Sequence, residues 1–531
     1  MNKDITRTAL LALLAAGSAS AQTYSSADAY ALPTWHSEYV VEPILSVGET
    51  VPRTSDASQR YQMIGIPDGI GVYSLTSQAA AVMVNHELTN TRTSRPVIGQ
   101  PLLRGAFVST FQVDRLRRGV ISGDVAYTEV WQNGALVGPI ADELNATPAF
   151  SRFCSSSVAG PREGFDRWVY LTGEESESGT FDPLGGSAVA IFGGKAYVLP
   201  LLGHLPWENL LVQPRVDTGL YANKTVIMLC EDGPATDPYS GLAMYVGTKD
   251  RESSDPLARN GLNNGQFYVL RGLDGDANYE SDFYGENGAT QCEWVRIPSV
   301  ASKSYSQLKD AMVANDYFRF ARVEDGAWSK TEKLDFFFVT TGGDGVVGAP
   351  TGNNKLGRLY RLTMDANNPL AYCNLEIITD ADHSNHADVP LSPDNMDTSA
   401  RYIMVQEDGT SQSRPVMAAR NRDGSIWRYD TWDLAAPPVR VIQQTSIGRD
   451  GVYAVTGSVT TPPTLPVTPT FTTNKFTPTA RGIWETSGIH ATDSIFGDGT
   501  FVFDVQAHGP TTAPGDNTVE DGQLLIMIPG T

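Results

Sequence analysis

Short apolar runs bounded by Gly, Asp, Asn or Pro recur from about residue 60 to residue 508 and constrain this chain more than anything else in it. They include "AAAVMVNHE", "RWVYLTGEE", "SAVAIFGGKAYVL", "GQFYVLRGL", "KLDFFFVTTGG", "GRLYRLTMD", "GSIWRYDTW" and "GTFVFDVQAH". Runs of this length and setting read as β-strands. The best helical pattern is "SYSQLKDAMVAND", residues 304 to 316, whose apolar spacing suits one short surface helix. The fold class is therefore all-β. A sandwich of about 100 residues cannot absorb strands spread this widely among 50 glycines. Two arrangements remain: several β domains, or one β-propeller with long loop insertions and few short helices.

The acidic residues choose between them. "TVIMLCEDG", "FRFARVEDG" and "RYIMVQEDG" each run an apolar strand into Glu-Asp-Gly, and "WVYLTGEES" ends similarly. Asp-Gly is a favoured turn pair, which explains the Asp and the Gly but not the Glu before them. In a propeller the innermost strands of all blades converge on one channel, so carboxylates far apart in sequence can meet there; separate domains would scatter them. The expectation is a single β-propeller domain over residues 22–531, with six or seven blades and the Thr/Pro-rich stretch 457–480 as a loop inside it.

Residues 1–21 read as a secretory leader: Lys3 and Arg7 precede "ALLALLAAG", and "ASAQ" supplies small residues ahead of Gln22. The protein is thus expected to be periplasmic or secreted. No later stretch approaches the roughly 18–20 apolar residues of a membrane helix. A net charge of −21 makes nucleic acid and anionic membranes poor partners and favours bound divalent cations. The expected partner is a small-molecule substrate, met by a monomer. None of Cys154, Cys230, Cys292 and Cys373 has CxxC spacing, which argues against a cysteine zinc site; in an oxidising compartment three disulfide connectivities are open.

Candidate site residues end the strand-like runs. Glu174 and Glu175 lie in "GEES", Glu231 in "CEDG", Glu324 in "VEDG", and Glu407 in "QEDG", whose segment also carries Asp394 in "PDNM". Carboxylate oxygens at such positions suit hard divalent cations. His86 and Glu87 of "NHE", Glu208 of "WEN", and Glu485 and His508 near the C-terminus are further ligands or orienting partners. Arg322 stands two residues before Glu324, on the same face of an extended strand, where a guanidinium can clamp a phosphoryl oxygen. His383 and His386 are spaced for a helix, but their flanks read as loop. Neither GxSxG nor HExxH occurs.

The ordered set "NHELT", "GEES", "WEN", "CEDG", "RVEDG", "DNM", "QEDG", "ETSGI" and "DVQAH" resembles the PhoX-type alkaline phosphatase family of secreted bacterial proteins. The resemblance implies a propeller whose axial channel holds a metal cluster that hydrolyses phosphoesters, with Glu175, Glu231, Glu324 and Asp394 as ligands and Arg322 on the substrate phosphate. It implies calcium together with a second metal, manganese or iron. In the iron-dependent branch the turn reads Thr-Cys-Glu-Glu and its cysteine binds iron; here it reads Thr172-Gly173-Glu174-Glu175. The thiolate is thus absent at that position, and Cys154, some twenty residues upstream, is not its positional replacement. Two other functions fit the same residues: a propeller hydrolase acting on phosphotriesters, and a calcium-stabilised binding scaffold without activity.

Overall fold

The structure is a computed structural model, which describes residues 22–34, 37–234, 239–273, 277–343, 354–408, 424–444, 484–508 and 515–530. The leader of residues 1–21 and the Thr/Pro-rich stretch 457–480 lie outside the described residues.

The chain forms an all-β propeller, with six blades among the described residues. Its innermost strands are Pro67–Ser74, Phe153–Ala159, Trp207–Val212, Val323–Trp328, Pro393–Thr398 and Glu485–Ala491. Each packs against the next around the axis, and the sixth against the first. Within a blade the chain moves outward by antiparallel neighbours, as from Lys224–Glu231 to Leu242–Thr248 to Gln266–Gly272 in the third blade.

Blade stacking covers both faces of most strands, so Ala79–His86 and Lys224–Glu231 are buried along seven consecutive positions. This is why those runs read as continuous apolar segments and not as a period-two alternation. Large side chains such as Trp207 and Phe267 fill the space between blades. The sixth blade closes with an N-terminal strand, Tyr39–Ser46, paired to Asp521–Pro529. That pairing makes the N-terminal strand the outermost strand of the last blade. The expected helix is present as Tyr305–Ala314, its Ser304 cap accepting from Gln307 N. No described helix is long and apolar enough to cross a membrane.

The third and fourth blades are joined at their rims, where Ala289–Ile297 pairs with Cys373–Asp380. Cys292 and Cys373 are opposed in that register. Of the four cysteines they are the two that face each other across a described ladder, and none is disulfide-bonded.

Two local features recur at the start of the inner strands. First, all six carry a register shift within their first turn of pairing: Pro67/Ile70, Phe153/Ser156, Trp207/Asn209, Val323/Gly326, Pro393/Met396 and Thr486/Ile489. A bulge bends the strand and re-aims the side chain at the break. Second, in four blades the residue just ahead of the inner strand has a left-handed backbone: Ile66 (φ 50°), Arg152 (φ 51°), Arg322 (φ 63°) and Ser392 (φ 48°). The chain thus turns sharply into the channel at the same height in several blades.

Candidate metal centre

In five blades the first residue of the bulge carries a metal-competent side chain, and in the sixth Glu485 does so just ahead of it. Asp68, Cys154, Glu208, Glu324, Asp394 and Glu485 come from the six inner strands in order. Glu87, Glu175 and Asp408 follow the ends of the second strands of the first, second and fifth blades and stand beside them. Together they make four overlapping groups: Asp68–Glu87–Cys154, Cys154–Glu175–Glu208, Glu208–Glu324–Asp394 and Asp394–Asp408–Glu485. Within each group the donor atoms lie within 4.8 Å of one another. Successive groups share a residue, so donors run around the channel without a break from the first blade to the sixth.

Eight carboxylates and a thiol at such spacing cannot all be charged unaided. Two unit charges 4.8 Å apart repel by about 3–4 kcal/mol at an effective dielectric of about 20. A hydrogen bond to a charged group offsets about 1.5–3 kcal/mol, and each carboxylate here has at least two neighbours at that spacing. Burial, reinforced by the neighbouring carboxylates, accordingly pushes Asp68, Glu208 and Asp394 well above the ordinary carboxyl range. Burial likewise raises Glu324 to about 8, although Arg322 opposes it. Asp68 Oδ1 and Glu208 Oε2 are fully buried and accept no hydrogen bond from the protein. The orphaned oxygens and the crowded carboxylates fit divalent cations. The oxygen donors suit hard ions such as calcium or manganese, and Cys154 adds a softer sulfur donor of the kind that suits iron or zinc.

Two guanidiniums and one imidazole oppose this charge. Arg322 donates from Nε and Nη2 to the two oxygens of Asp232, 3.1 and 2.9 Å, and Nη2 is 2.8 Å from Glu324 Oε1. Arg152 places Nε 2.9 Å from Glu87 Oε1 and Nη2 2.5 Å from Glu175 Oε2. His508 lies 2.8 Å from Glu520 and 3.9 Å from Glu485. Burial works against the His508 imidazolium, but these two carboxylates outweigh it and hold its pKa well above the ordinary value. Gln506 Nε2 donates to Asp68 Oδ2 and Ser487 Oγ, and Asn395 Nδ2 donates to Ser155 Oγ.

The structure brings Glu175, Glu324, Asp394, Glu87, Glu208 and Glu485 together, with Arg322 and His508 beside them. Four of the candidate residues lie elsewhere. Glu231 is held by Lys309 Nζ at 2.8 and 3.0 Å and accepts from Gly241 N. Glu174 accepts from the backbone of Ser151, Phe181 and Ser187 and so ties a loop together. Glu407 accepts from Leu391 N. His86 bonds Ser109 Oγ at 2.6 Å and is packed on Phe107, where burial lowers its pKa to about 3.

The three Glu-Asp-Gly segments are not equivalent. "CEDG" and "QEDG" end outward-running second strands, where the Glu is the register partner of the inner strand's first residue and the following Asp reaches the axis side. "VEDG" begins an inner strand, so there the Glu faces the channel and Asp325 turns to Asn209 Nδ2 and the Met396 backbone. Gly173 is also resolved: a Cβ there would meet Trp207 Cβ at 2.4 Å, so the position faces the next blade and has no space for a side chain. The channel's thiol is Cys154, whose Sγ donates to Asp68 Oδ2 at 3.1 Å; it opens the inner strand Phe153–Ala159 and does not take the position of Gly173. Sequence reading also missed Asp68, Asp232, Asp408 and Arg152. The signal that could have found Asp68 and Cys154 is the shared opening of the inner strands: Pro-Asp-Gly, Phe-Cys-Ser, Trp-Glu-Asn, Val-Glu-Asp, Pro-Asp-Asn and Trp-Glu-Thr.

No family model and no curated protein matches this chain. Among solved structures it is similar to Pseudomonas fluorescens PhoX in complex with vanadate, a transition-state analogue, at 15% identity and TM-score 0.60, covering 96% of this chain and 98% of that one. A Penicillium chrysogenum α-L-arabinanase complexed with arabinobiose aligns at 9% identity and TM-score 0.39, over 91% of this chain and 98% of that one. At these identities the likeness to PhoX concerns the fold, and the arabinanase likeness is too slight to carry any argument.

Proposed function

We propose that this protein is an exported metal-dependent hydrolase of phosphoesters whose reaction takes place in the carboxylate-lined channel. The observation that carries the reading is the run of overlapping donor groups with Arg322 set at its rim. The similarity of fold to a PhoX that binds vanadate supports it, as do the motifs shared with PhoX-type phosphatases.

Asp68, Glu87, Cys154, Glu175, Glu208, Glu324, Asp394, Asp408 and Glu485 would hold the cations. Bound there, divalent ions supply Lewis acidity toward phosphoryl oxygens and lower the pKa of coordinated water. The chain's own residues do the rest. Arg322 is a quarter exposed, and Nη1 of its planar fork, 3.6 Å from Asp408 and the nitrogen least engaged by the protein, would meet a non-bridging oxygen. The Asp232 and Glu324 contacts hold that fork in place before substrate arrives. Gln506 would orient Asp68 and Glu87, to both of which its Nε2 donates. His508, whose pKa Glu485 and Glu520 raise against its burial, would add positive charge at the sixth blade.

The scaffold reading accounts for the carboxylates but not for Arg322, since a structural cation site is weakened by a guanidinium 2.8 Å from one of its ligands. Arg322→Ala is expected to raise KM for p-nitrophenyl phosphate by about tenfold or more, the loss of one charge-assisted contact, while metal content is retained. Arg322→Lys should recover little of it, because a lysine lacks the fork. Wild-type KM and kcat in Arg322→Ala would exclude the assigned role.

A further inference from the structure

We infer that Arg152 is a second phosphate-binding residue of the channel mouth, meeting the substrate from the side opposite Arg322; the inference rests on the phosphoester reading above. Arg152 and Arg322 occupy one structural position in two blades. Each is the residue immediately ahead of an inner strand, each has positive φ (51° and 63°), and each is followed by one apolar residue and then a channel donor, Cys154 or Glu324. A non-glycine residue in this conformation is strained. Ile66 and Ser392 hold the same conformation at the same place in two further blades, so the turn belongs to the fold, and two of its four occupants among the described residues are arginines.

The two arginines flank the third blade. That blade supplies Glu208, which is shared by the second and third donor groups. Glu175, bound to Arg152, belongs to the first of these groups, and Glu324, bound to Arg322, belongs to the other. Both guanidiniums therefore border the donors that meet at Glu208, one from the second blade and one from the fourth. They differ in what is left free. Arg322 directs its nitrogens at Asp232, Glu324 and Asp408. Arg152 uses Nε and Nη2, its side chain is 42% exposed, and Nη1 has no protein partner among the described residues. A guanidinium fixed on one edge by two carboxylates and open on the other is arranged to receive an anion. Simple charge balance at Glu87 and Glu175 requires neither the fork nor the open edge.

Inorganic phosphate is the probe. Its affinity would be measured by calorimetry, and its inhibition of p-nitrophenyl phosphate hydrolysis by kinetics, on calcium- and manganese-loaded wild type, Arg152→Ala, Arg152→Lys and Arg322→Ala. Metal content and circular dichroism would be recorded for each. The expected result is an approximately tenfold weakening of phosphate binding in Arg152→Ala, not recovered in Arg152→Lys, with metal content unchanged. If Arg152→Ala binds phosphate like the wild type while Arg322→Ala does not, the inference is overturned and the phosphoester reading stands. If metal content falls in Arg152→Ala and phosphate affinity per loaded molecule is unchanged, Arg152 is structural and the inference is again overturned. Wild-type protein that neither binds phosphate nor turns over the ester would remove the underlying reading itself. Should Arg152→Ala fail to fold, Arg152→Lys alone decides: wild-type phosphate affinity in it would reject a requirement for the fork.

Discussion

Glu208→Gln is expected to weaken divalent-cation binding by about a hundredfold or more and to abolish turnover at metal concentrations that saturate the wild type. Loss of a residue that only orients a ligand typically costs about 10–100-fold, and Glu208 is more than that: its carboxylate takes part in two of the four donor groups. The substitution keeps the shape and removes the charge. It should therefore have the opposite effect on the metal-free protein. Burial and the repulsion of Glu324 and Asp68 hold Glu208 far above its ordinary pKa, so a neutral amide relieves strain there and should raise the Tm of chelated protein. Isothermal titration with Ca²⁺ and Mn²⁺, alongside melting curves with and without chelator, measures both. Unchanged metal affinity would remove Glu208 from the site, and a lower Tm without metal would show that its role is structural.

The second large effect is on pH. Asp68, Glu208 and Asp394 are raised well above the ordinary range and Glu324 to about 8, in each case first by burial. Between the unfolded carboxyl pKa of about 4 and these folded values, the folded state binds more protons than the unfolded state. Stability then falls as pH rises. The contribution is fully present below the unfolded pKa and is lost as pH passes through the folded values. Metal-free protein should accordingly lose about 5 °C or more in Tm between pH 5 and pH 8. Saturating calcium should flatten or reverse that slope, because bound cations stabilise the ionised carboxylates. A Tm of chelated protein that rises over this window would mean that the channel carboxylates are compensated by the protein alone.

The architecture was largely legible because blade stacking imposes a recognisable texture: short buried runs, Gly and Asp at the turns, and almost no helical periodicity. The blade count was legible only as six or seven, since blades of four, five and six strands erase any fixed repeat length. At the site, residues that open inner strands with an acid after a bulky or proline residue, such as Glu208 and Asp394, could be picked out. Those on second strands could not be placed reliably. "CEDG" and "VEDG" look alike in sequence but enter the channel in opposite chain directions, so the residue facing the axis shifts by one, from Asp232 to Glu324. A single-residue offset is what a bulge introduces, and local sequence does not announce it. Cys154 was hidden for a related reason: its thiol occupies an inner-strand position that other blades fill with a carboxylate, and alignment on the neighbouring "TGEE" turn directed attention to Gly173, which faces Trp207.

Hydrolysis of p-nitrophenyl phosphate by the purified protein, measured as isolated, after exhaustive chelation, and after readdition of Ca²⁺ with Mn²⁺ or iron, tests the central claim most directly. Metal-bearing protein should turn the ester over, chelation should stop it, and readdition should restore it. Absence of turnover with every metal combination, in protein whose Tm still rises when calcium is added, would contradict the account and leave a cation-stabilised scaffold in its place.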